Sequence, residues 1–165
     1  MTKNKLLADS IENISSCVWC SEANLNIGSA AKYGAIVVAK IGKKPEDSWF
    51  ATISPKTAGD IETDFTLQLM PVKHLTHFAQ VASNQELAKN YGLIFALLSK
   101  AMARIMAEGD IESVVEKRED GAAIATYGKC TNWKEKKEHL HVKLYPFRGV
   151  LGQPCVVESS FERKE

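Results

Sequence analysis

The sequence predicts an α+β domain, with an antiparallel sheet of about five strands and one long helix packed on a face of it. Two observations carry this expectation. Short apolar segments recur with turn residues between them, an arrangement that suits antiparallel neighbours. One stretch, 84–108, instead repeats its apolar residues at helical spacing. A chain of 165 residues is enough for one well-buried domain, read here as 1–165 with its core at about 17–149. A short helix over Leu6–Ile14 and the tail after Gln153 are peripheral to that core.

The strand candidates follow in order. Tyr33–Ile41 is nearly continuous in apolar residues and is closed by Gly42-Lys43-Lys44-Pro45. Ser48–Ser54 carries Trp49, Phe50 and Ile53 and stops at Pro55. Phe65–Met70 alternates, with Phe65, Leu67 and Leu69 on one face and Thr66 and Gln68 on the other, before Pro71. Ile111–Lys117 and Ala122–Tyr127 flank Asp120-Gly121, a hairpin signal. The last strand, 139–145, alternates strictly. It puts His139, His141, Lys143 and Tyr145 on one face and Leu140, Val142 and Leu144 on the other.

Ser83-Asn84-Gln85-Glu86 reads as a capping box for the long helix. Its core stripe is Leu87, Tyr91, Ile94, Leu98, Met102 and Ile105, and Gly109 ends it.

Composition narrows the function classes. A net charge of +1 gives no general attraction to nucleic acid or to an anionic membrane, so nucleic acid is not indicated as a partner. No apolar run approaches the roughly 20 residues that span a bilayer. Leu6-Leu7-Ala8 is interrupted at once by Asp9, so no signal-peptide core is expected. Four unevenly spaced cysteines do not suggest a disulfide framework, and a reduced, cytoplasmic protein is the expectation.

In that setting Cys17-Val18-Trp19-Cys20, placed in a loop, points to metal or redox chemistry. The Asn- and Gly-rich segment after it argues against a redox helix. Zinc takes four nitrogen and sulfur ligands in a tetrahedron, and a structural site fills all four from protein. All four histidines lie in two clusters, His74/His77 and His139/His141. The expected site is therefore the two cysteines with one histidine from each cluster. Cys130 is a competitor, and a site using both His139 and His141 is a further alternative.

The order of these elements resembles the histidine-triad (HIT) superfamily of nucleotide hydrolases and transferases, related to galactose-1-phosphate uridylyltransferase. Phe65–Met70 running into Pro71-Val-Lys-His74 looks like the family's Pro-x-x-His segment, and His139-Leu-His141-Val-Lys143-Leu-Tyr145-Pro146 looks like its triad strand. The resemblance spans about Cys17 to Phe147. It implies a HIT-like fold, a homodimer, and structural Zn2+ held by Cys17, Cys20, His74 and His139. It also implies that His141 is a nucleophile toward a nucleotide or nucleotide-sugar, passing through a nucleotidyl-histidine intermediate. Lys143 stands where the third triad histidine would be, and the family's Gly- and Ser-containing phosphate loop is replaced by a lysine-rich segment. Lys143 would then stabilise phosphate charge, with Asn132, Lys134, Lys136, Lys137 and Arg148 as substrate-binding groups. A non-catalytic module binding a nucleotide or a protein is the alternative.

Overall fold

In a computed structural model, residues 17–32, 35–55, 65–106 and 139–144 are described, and they form an α+β arrangement. Four antiparallel strands lie in the order β1 (Ile36–Ile41), β2 (Trp49–Pro55), β3 (Phe65–Pro71), β4 (Val142–Leu144). A one-turn helix, α1 (Val18–Glu22), precedes the sheet, and a long helix, α2 (Gln85–Met106), falls between β3 and β4. The strand candidates at 111–117 and 122–127, and the helix at 6–14, lie outside the described residues. None of the described helices is long and apolar enough to cross a membrane.

Alternation along the strands gives the sheet two different faces. Trp49, Ala51, Phe65, Leu67, Leu69, Val142 and Leu144 join Leu87, Ile94, Leu98 and Met102 of α2 in the main core. The Trp49 indole N–H also donates to the Leu87 carbonyl at 2.8 Å, which pins α2 to β2. Phe50 and Met70 point the other way and pack with Ala23, Trp19 and Val72, so the α1 segment covers one end of the opposite face. Burial on both sides of β3 departs from the expected split: Thr66 is buried along with Phe65 and Leu67. β1 serves both faces through a register shift between Val37 and Ala39, where one extra residue changes the phase of alternation.

The turn after β1 needs glycine. Gly42 has φ +112°, and a Cβ there would meet the Ser48 Cα at 2.6 Å. The long helix starts one residue later than the sequence suggests. Asn84 Oδ1 accepts the N–H groups of Glu86 and Leu87, both at 3.1 Å, so Asn84 is the cap. The Ser83 hydroxyl instead donates backward to the Gln80 carbonyl. At the far end the stripe gives out: Met102 is fully buried, but Ile105 is half exposed.

β4 starts later than its alternation implies. Among the described residues its ladder runs from Val142, opposite Leu69, to Leu144, opposite Leu67. Residues 139–141 run on past the paired region, near the end of β3 at Pro71. Their path is fixed instead by the Leu140 N–H, which donates to the Leu75 carbonyl at 2.6 Å. That bond lays the 139–141 segment beside the turn carrying His74.

Candidate metal centre

Three chain segments meet at the Pro71 end of the sheet. The first is α1 and its cap. Cys17 is extended (φ −84°, ψ 120°) and Cys20 lies one turn on, so the pair sits on a short helix and not in the expected loop. Residues three apart on a helix are neighbours, which brings both thiols to one side. The second segment follows β3, where the chain turns after Pro71 and presents His74. The third is 139–141.

The ligand atoms of Cys17, Cys20, His74 and His139 all lie within 4.8 Å of one another. Cys20 Sγ is 3.3 Å from His74 Nδ1 and 3.4 Å from His139 Nδ1, and Cys17 Sγ is 3.5 Å from His139 Nδ1. The His74 and His139 rings meet edge to face, with centroids 4.9 Å apart. Cys20, His74 and His139 are buried, and Cys17 is half buried. These four residues could hold a metal ion.

The orientation of His139 follows from its other nitrogen. Its Nε2–H donates to the Pro71 carbonyl at 2.7 Å, which leaves the Nδ1 lone pair directed at the sulfurs. Metal-binding histidines are commonly held in this way by a backbone carbonyl. Burial pushes the His139 imidazole down to about 4, and His74 and His141 nearby act in the same direction. The Pro71 hydrogen bond opposes them but does not prevail. A neutral ring is the form that ligates metal.

The remaining expected residues separate from this cluster. His77 is buried but lies outside the four, with Thr76 Oγ1 2.8 Å from its Nδ1 and Gln80 Oε1 accepting its backbone N–H. His141 also stands outside, half buried, and its Nδ1–H donates to the His139 carbonyl at 3.1 Å. The strict alternation that puts His139 and His141 on one face holds only from Val142 onward, because 139–141 run past the paired ladder. Lys143 pairs with Gln68 within that ladder and is half buried. Asn132, Lys134, Lys136, Lys137, Arg148 and Cys130 lie outside the described residues.

Two contributors escaped sequence reasoning. Trp19, between the cysteines, stacks on His141 with ring centroids 4.6 Å apart and planes tilted by 32°. It also meets His139 edge-on at 6.1 Å. Its position inside the Cys-x-x-Cys motif was the available signal. The Pro71 carbonyl left no signal in the residue pattern, because its role depends on where the β3–β4 ladder stops. Comparison of the chain with protein-family models, with curated proteins and with solved structures gave no match.

Proposed function

We propose that Cys17, Cys20, His74 and His139 bind a structural zinc ion that ties α1 to the end of the sheet. The observation that carries this reading is the set of sulfur–nitrogen separations, 3.3–3.5 Å. A tetrahedron with Zn–S near 2.3 Å and Zn–N near 2.0–2.1 Å has S···N edges of about 3.5 Å. Two thiolates and two imidazoles also form a ligand set typical of structural zinc, with no position left for water. α1 is too short to persist alone, so an ion bridging it to the sheet would contribute directly to folding. Metal analysis of the purified protein should give about one zinc per chain, and His74→Ala or His139→Ala should abolish it. Full zinc content in both variants would defeat the assignment.

A second reading builds on this scaffold: a HIT-like domain, a homodimer in solution, with His141 as nucleophile in nucleotide hydrolysis or nucleotidyl transfer. It is favoured by the hydrogen bond from His141 Nδ1–H to the His139 carbonyl. In a neutral imidazole this puts the lone pair on Nε2, the atom that would attack an α-phosphorus. Attack forms an Nε2–P bond and expels the leaving-group oxygen; water or an acceptor hydroxyl then takes the nucleotidyl group. Lys143 would neutralise phosphate charge as a point cation. The test is trapping of labelled nucleotide on the protein. His141→Ala should lose the label and keep zinc, and Lys143→Met should weaken nucleotide binding. Absence of binding across a panel of mono- and dinucleotides would leave a zinc-stapled, non-catalytic module.

A further inference from the structure

His141 occupies an unusual mechanical position. It precedes the first paired residue of β4, Val142, so the sheet ladder does not fix it. Its contacts include a hydrogen bond to the carbonyl of His139, only two residues away, and the ring of Trp19. The hydrogen bond to His139 sets which ring nitrogen carries the proton, and the Leu140–Leu75 hydrogen bond holds the backbone beside it. The aromatic contact comes from a segment 122 residues away in sequence, and a stacked pair of rings attracts beyond its burial alone.

Trp19 is itself held from two sides. It lies between Cys17 and Cys20 on the single turn of α1, and it packs against the buried Ala23, Phe50 and Met70 cluster. The backbone that carries both thiols therefore carries the indole. A one-turn helix has no cooperative stability of its own, so its placement depends on what its side chains grip.

We propose that Trp19 is a positioning residue for His141, and that the metal motif sets its place, so that filling the Cys2His2 centre orders the imidazole. The first half stands on the ring geometry alone; the second rests on the metal reading above. A tryptophan that merely filled the Phe50/Met70 cluster would affect stability but would not govern the His141 ring.

The test is NMR of the zinc-loaded full chain, with histidine ring resonances assigned by His141→Gln. In the parent, ring protons of Trp19 and His141 should give mutual nuclear Overhauser cross-peaks, and the His141 ring protons should be shifted by the indole ring current. In Trp19→Leu, with zinc content and the Trp49–Tyr91 cross-peaks retained, ring 13C relaxation should show the His141 imidazole mobile where the parent ring is ordered, a readout that loss of the indole ring current does not move. Trp19→Phe, which keeps an aromatic ring if the leucine variant does not fold, should leave it partly ordered. His141 ring relaxation unchanged from the parent in either folded variant overturns the positioning role. Graded chelation of the parent then tests the coupling. Loss of the Trp19–His141 cross-peaks in step with zinc, while Trp49–Tyr91 cross-peaks persist, supports it; cross-peaks indifferent to zinc loss overturn it. A protein that holds no zinc defeats the metal reading and the coupling together, while the variants still decide the role of Trp19.

Discussion

Cys20→Ser is the sharpest perturbation of the proposed centre. Cys20 Sγ lies 3.3 Å from one imidazole nitrogen and 3.4 Å from the other, so the change removes the sulfur that both histidines face. The rest of the fold is little disturbed, since serine keeps the size and the side chain is already buried. The magnitude follows from linkage. With free zinc about 1,000-fold above its dissociation constant, binding stabilises the folded state by about 4 kcal/mol. A chain of this size loses about 2–4 °C of melting temperature per kcal/mol, so the variant should melt roughly 8–16 °C below the parent. The assay is thermal unfolding by circular dichroism in a zinc buffer, repeated with excess chelator. Chelation should lower the parent nearly to the variant, leaving a gap of about 1 kcal/mol for the buried hydroxyl. Cys17→Ser should behave similarly and Cys130→Ser should cost much less. A gap between parent and Cys20→Ser that persists undiminished in chelator would refute the reasoning, because the loss would then be one of packing.

The metal-free protein should lose stability on acidification. The His139 pKa is depressed to about 4 in the fold, so the unfolded chain binds a proton first, and stability falls as pH drops from about 6.5 to 4, by at most roughly 3 kcal/mol. Denaturant unfolding at stepped pH checks this, and His139→Gln should flatten the profile. His77→Ala should retain zinc where His74→Ala loses it, because His77 lies outside the cluster; zinc analysis of the two variants separates them. Asn84→Ala should cost about 1 kcal/mol in urea unfolding through the lost helix cap, and Ser83→Ala less.

Much of the fold was legible because alternation and helical spacing are local signals. Phe65, Leu67 and Leu69 do face the α2 core, and Leu87, Ile94, Leu98 and Met102 do form its stripe. The misses arose where a neighbour in space decides the outcome. Ser83 and Asn84 are both good caps by type, and only the turn of the chain after Gln80 makes Asn84 the one that is used. Alternation through 139–145 hides the point where pairing with β3 stops, so His139 and His141 read as equivalent. The structure instead buries His139 in the cluster and leaves His141 beside Trp19. The choice of His74 over His77 could not come from spacing either. It depends on the Leu140–Leu75 hydrogen bond, which brings His139 alongside His74.

The central claim is that one zinc ion sits between two sulfurs and two imidazole nitrogens. Zinc K-edge X-ray absorption on the purified protein tests it most directly. The expected first shell is two sulfurs at about 2.3 Å and two nitrogens at about 2.0–2.1 Å, with the outer-shell scattering of imidazole. A first shell of nitrogen and oxygen alone, with no sulfur, would contradict it.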